Sequence, residues 1–150
     1  MKKAIWQTPV SYGRCEATHV LLPAWAVPRR RDSAEVIGYA LLDHARGLGH
    51  RRIVARLERP PGTVRGWVRA FRRRAELISD NARRWARAID SHALDQIRPA
   101  RSAVADAVDA LGIMARACRL QLRMSASPWE LVVTLTGLLH GRPRDPPAGL

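Results

Sequence analysis

Residues His50 to Arg74 read HRRIVARLERPPGTVRGWVRAFRRR, and the apolar and chain-breaking residues in this stretch space out two helices on either side of a tight corner. Ile53, Val54 and Leu57 stand at i, i+1 and i+4, the spacing that lines one face of a short helix. Val64, Trp67, Val68, Phe71 and Ala75 stand at i, i+3, i+4, i+7 and i+11, the apolar stripe of a longer one. Pro60, Pro61 and Gly62 separate the two. Proline lacks the N–H that the first helix would need, while its fixed φ suits the first turn of the second. Thr63 is expected to offer its hydroxyl to an unpaired N–H in that turn.

Upstream of this pair, a helix is expected from Ala34 to Arg46. Asp32 with Glu35 has the form of a capping box, and Val36, Ile37, Ala40, Leu41 and His44 share a face. Gly47-Leu48-Gly49 stops it. His44 reads as a boundary histidine, because no second histidine or acid stands beside it at metal-ligand spacing. Downstream, Leu77, Ile78, Ala82, Trp85, Ala86 and Ile89 keep helical spacing, so the preceding helix either extends or breaks briefly at Ser79-Asp80-Asn81. Ser91 to Pro99 reads as a connection. Val104, Ala107, Val108, Leu111, Ala115, Cys118 and Leu122 then mark an amphipathic helix, with Cys118 a small core residue on its stripe. Ser127-Pro128-Trp129-Glu130 opens a final helix with an N-cap, a proline at its first position and an acid closing the capping box. Leu131, Leu135, Leu138 and Leu139 form its face, and Gly141 ends it.

The expected fold class is therefore all-α. A three-helix unit over 32–90 is followed by a C-terminal helical hairpin over 91–140, which folds back on that unit or pairs with a second copy. Residues 1–31 show no sustained period and hold three prolines, so an irregular arm, extended or short-stranded, is expected there. The proline-rich tail, 141–150, is expected to be disordered.

At 150 residues and 47% apolar composition, the chain is long enough to bury a core. Its formal charge of +13 and isoelectric point near 11.5 point to a polyanionic partner. Nucleic acid is favoured over an acidic membrane, because the basic residues gather around the Val64 to Ala75 helix. All but two of the 26 basic residues are arginine, a bias that GC-rich coding also produces. Two cysteines, Cys15 and Cys118, make no disulfide framework. Met1-Lys2-Lys3 has the charge of a signal-peptide start, but Gln7, Thr8, Pro9, Ser11 and Tyr12 interrupt the apolar run that should follow. No apolar run approaches the roughly 20 residues that span a bilayer. A cytoplasmic, nucleoid-associated location is expected, with no membrane partner.

R-R-I-V-A-R-L, a corner containing proline, then T-V-R-G-W-V resembles the helix-turn-helix of homeodomain-like bacterial proteins, including the DNA-binding ends of small transposase subunits. A longer stretch, from Thr18-His19-Val20-Leu21-Leu22-Pro23 into Pro28-Arg29-Arg30-Arg31, resembles a family of uncharacterised bacterial proteins in which a zinc ribbon precedes such a domain. The resemblance implies double-stranded DNA as partner. Where the related ribbons carry a C-x-x-C knuckle, this chain has Tyr12-Gly13-Arg14-Cys15. Zinc takes about four N or S ligands in a structural site, and Cys15 with His19 offers two, so a metal-free remnant is expected. No cofactor is expected either.

In a helix-turn-helix the second helix of the pair enters the major groove. The positions turned away from the apolar stripe are Gly62, Arg65, Gly66 and Arg69, the candidate base-contacting set. Arg65 and Arg69 lead, because a guanidinium donates two parallel hydrogen bonds to guanine O6 and N7. Arg51, Arg52, Thr63, Arg72, Arg73 and Arg74 are candidates for phosphate contact. Arg29, Arg30 and Arg31 stand where an arm would reach the minor groove, or else form a solvated linker. Gly66 offers no side chain where a polar one would read a base. Glu58 and Arg59 replace the glycine and apolar residue that related corners have, and glycine would adopt a left-handed backbone there without strain.

A metal-dependent nuclease or transposase core needs acids converging from a mixed sheet. Asp90, Asp95, Asp106, Asp109 and Asp145 are instead scattered, and no phosphate loop or nucleophile elbow is present. A non-enzymatic DNA-binding protein is expected, acting as a transcription regulator or the recognition protein of a mobile element. The alternative is a helical assembly protein that binds nucleic acid non-specifically, its C-terminal helices meeting a partner or forming a homo-oligomer. RNA binding through the arginine-rich helix lacks the stacking aromatics of sheet-based RNA modules.

Overall fold

The computed structural model of the chain describes residues 8–11, 18–21, 32–95, 97–136 and 145–147. Within the arm expected to be irregular, β1 (Thr8–Ser11) pairs antiparallel with β2 (Thr18–Leu21), in a register that sets Thr8 opposite Leu21 and Ser11 opposite Thr18. Each segment carries a threonine and a valine two residues apart, Thr8 with Val10 and Thr18 with Val20, and β-branched residues suit a pleated backbone. Pro9 is tolerated because each strand of a two-stranded ribbon has a free edge. Cys15 lies outside the described residues.

The rest is helical: α1 (Ala34–Ala45), α2 (His50–Leu57), α3 (Pro61–Arg72), α4 (Ala75–Ile89), α5 (Ala103–Gln121) and α6 (Pro128–Thr136). The N-cap of α1 is Ser33, whose Oγ accepts from the Val36 N–H at 3.4 Å, and not the Asp32 of the expected capping box. Asp32 instead accepts from Arg59 Nε at 2.5 Å and ties the start of α1 to the corner after α2. The helix stops as expected at Gly47. There φ is +90°, the Gly47 N–H donates to the His44 carbonyl, and the Leu48 N–H donates to that of Asp43. These two bonds satisfy carbonyls that the helix leaves open.

The corner between α2 and α3 bends at Glu58, with φ 51° and ψ 45°. This is the left-handed conformation that glycine adopts at least cost. Pro60 is the N-cap of α3 and Pro61 its first residue, with no side-chain cap bond. Thr63 therefore lies inside the first turn and does not cap the helix. The chain then breaks at Arg73-Arg74, Arg74 having φ −124° and ψ 9°, and not at Ser79-Asp80-Asn81. Those three residues are helical, and Ser79 and Asn81 are buried. Ser79 keeps its helical backbone because its side chain finds a partner across the helix interface. Its Oγ donates to Asp106 Oδ2 at 2.5 Å, and Arg83 donates to Asp106 Oδ1 at 2.6 Å.

α5 is capped by Ser102, whose Oγ accepts from the Ala105 N–H at 3.2 Å. α6 has the full reciprocal box: the Glu130 N–H donates to Ser127 Oγ at 3.2 Å, and the Ser127 N–H donates to Glu130 Oε2 at 3.1 Å. α4 lies along α5. α1 sits centrally and touches α2, α3, α5 and α6. One apolar core runs through all six helices, from Ile37 and Leu41 through Trp67, Phe71 and Trp85 to Met114 and Leu131. Each such large side chain contributes about 1.5–3 kcal/mol by leaving water. In the tail expected to be disordered, Asp145 is held against α4 by Arg84 at 2.9 Å and Asn81 at 3.4 Å, a carboxylate drawn to a cation and an amide donor. Leu138, Leu139 and Gly141 lie outside the described residues.

Candidate nucleic-acid interface

α3 is split lengthwise. Val64, Trp67, Val68 and Phe71 are buried, whereas Gly62, Arg65, Gly66, Arg69 and Arg72 are exposed. The inner four side chains fix the rotation of the helix, and this rotation aims the arginines at solvent. A Cβ at Gly62 or Gly66 would meet nothing within 4 Å. Among the described residues none packs against either glycine, and Gly66 leaves bare backbone between Arg65 and Arg69.

Four arginines form ion pairs with described residues. Arg56 pairs with Asp43 at 2.8 Å, Arg59 with Asp32, Arg83 with Asp106 and Arg84 with Asp145. Arg51, Arg52, Arg65, Arg69, Arg72 and Arg73 form no ion pair with a described residue, and all six are exposed. Like charges gathered on one helix pair raise the local potential and attract an extended polyanion. Arg74 is half-buried in the break between α3 and α4 and so is not part of the outer stripe of α3. Thr63 is half-buried as well. Arg29, Arg30 and Arg31 lie outside the described residues.

Sequence spacing does not reveal that His44 and His50 are neighbours, with ring centroids 5.6 Å apart. Burial holds the His44 imidazole below its usual pKa, and the nearby His50 and Arg72 lower it further. Arg72, the last residue of α3, thus acts electrostatically on His44 near the end of α1. Positions 44 and 50 belong to different helices, so no single-helix periodicity connects them; the turn at Gly47 does.

Of the scattered acids, all but Asp109 have a partner among the described residues. Asp106 joins Ser79 and Arg83, Asp95 meets His92 at 3.0 Å, and Asp90 accepts from the His92 N–H at 3.0 Å. Among the described residues no three His, Cys, Asp or Glu side chains gather as metal ligands, and no helix is long and apolar enough to cross a membrane. Cys118 is buried, and burial pushes its thiol pKa up, which leaves it a poor nucleophile. No family model, curated protein or solved structure matches the chain.

Proposed function

We propose that this protein binds duplex DNA through a helix-turn-helix formed by α2 and α3, as a transcription regulator or as the recognition protein of a mobile element. One observation carries the reading: five exposed arginines on α2 and α3, with Arg73 at the break that follows, have no acidic partner among the described residues. In this reading Arg65 and Arg69 enter the major groove and contact base edges. Arg51 and Arg52 at the start of α2 and Arg72 at the end of α3 hold phosphates, and Arg73 follows Arg72.

The test is selection from a random duplex pool, followed by titration of enriched and scrambled duplexes across a salt series. A preference of about a thousandfold for the enriched duplex is expected, and Arg65→Ala with Arg69→Ala should remove it while leaving salt-sensitive binding. Equal binding of both duplexes by the unmodified chain would defeat sequence recognition. The open surface at Gly62 and Gly66 favours the second reading, non-specific binding by a helical assembly protein, to the extent that discrimination comes out small.

A further inference from the structure

The outer ridge of α5 is a surface that DNA binding leaves unexplained. It runs through Asp109, Gly112, Ile113, Arg116 and Leu120, which fall on one side of the helix at spacings of one, three and four, Ile113 being half-buried and Ala105, one turn before Asp109, buried. Leu120 is 63% exposed, and a Cβ at Gly112 would meet nothing within 4 Å. Asp109 and Arg116 are both exposed and form no ion pair with a described residue. Seven residues apart along a rigid helix, at about 1.5 Å per residue, they are too distant to pair with each other.

We propose that this ridge is a two-fold interface with a second copy of the chain, α5 crossing α5 antiparallel about an axis between residues 112 and 113. A two-fold axis that brings residue i against residue j also brings j against i, so one axis must satisfy every pair. This one does. Asp109 of each copy meets Arg116 of the other. Ile113 of each lies over the bare backbone of Gly112, which lets the helices approach closely. Leu120 of each reaches the N-terminal end of the other α5, beside a groove of about 460 Å³ lined by Leu42, Ala45, Pro99 and Val108 together with Arg46 and Arg101. A parallel pairing would set Asp109 against Asp109 and Arg116 against Arg116, and juxtaposed like charges are rejected. The ridge shares no residue with the outer face of α3, so pairing through it is independent of whether α3 reads DNA.

Sedimentation equilibrium of the full chain over roughly 1–100 µM should find a species of twice the chain mass. Asp109→Arg alone and Arg116→Asp alone should each weaken association about tenfold or more, since both salt pairs become repulsive. The double exchange D109R/R116D should restore it. Gly112→Glu, which has open space in the single chain, should stay folded by far-UV circular dichroism yet sediment as a monomer. A monomeric unmodified chain, unchanged single variants, or a double exchange that fails to recover association would each overturn the proposal.

Discussion

The indole of Trp129, in the first turn of α6, lies against Gly38 in the middle of α1. A Cβ built at position 38 would collide with its Cγ, Cδ2 and Cε2 atoms. A missing side chain on one helix is thus the seat for the largest kind of side chain on another, and it fixes where α6 docks.

Gly38→Ala should therefore destabilise the chain by about 1–3 kcal/mol through overpacking, although alanine is the better helix former. In a Trp129→Ala background the collision is gone, and the same substitution should stabilise by about 1 kcal/mol through helix propensity. Urea unfolding of the four proteins of this cycle would show the change of sign. If Gly38→Ala stabilises both backgrounds, the indole does not sit there.

Two other positions should respond in the favourable direction. Glu58 holds a left-handed backbone at φ 51°, and Glu58→Gly should relieve about 1 kcal/mol of strain. Gly66 is helical, exposed and surrounded by open space, so Gly66→Ala should add about 1 kcal/mol. The sites lie on different elements, and their gains should add in thermal unfolding.

Asp106 accepts from both Ser79 and Arg83 across the α4–α5 interface. Asp106→Ala leaves a buried hydroxyl and a half-buried guanidinium without their acceptor, a loss of about 2 kcal/mol. Asp106→Asn keeps one acceptor oxygen and should lose less. Chemical denaturation ranks the two; equal losses would mean that the charge contributes as much as the hydrogen bonds.

His44 titrates below its usual value because of burial and the neighbouring His50 and Arg72. A depressed histidine binds its proton less readily in the folded chain than in the unfolded one. Its contribution is complete above the unfolded value of about 6.5 and declines as pH falls through that value toward the folded one. Unfolding midpoints should fall between about pH 7.5 and pH 5.5, and His44→Gln should flatten the decline. A slope that His44→Gln leaves unaltered would assign the acid sensitivity to other groups.

If Arg51, Arg52 and Arg72 hold phosphates, replacing them with alanine should reduce the salt slope of DNA binding by about one for each phosphate no longer neutralised. The reduction should be alike for enriched and scrambled duplexes. Arg65→Ala and Arg69→Ala should separate the two duplexes instead.

The helices are legible along the chain because periodicity, proline and glycine act within a few residues. The Val64 to Phe71 stripe, the Gly47 stop and the Ser127 to Glu130 box are all local, and all three are found in the structure. The outward face of α3 is legible too, since burial of Trp67 and Phe71 leaves Arg65 and Arg69 no other side. Polar residues inside a helical stretch mislead this kind of reading. Ser79 to Asn81 looks like a possible break because the acceptor for Ser79, Asp106, stands 27 residues away. Tertiary packing alone joins Asp32 to Arg59, leaving the cap to Ser33, and lays Trp129 on Gly38. Each of these depends on the angle at which one helix crosses another, and no spacing along the chain encodes that angle.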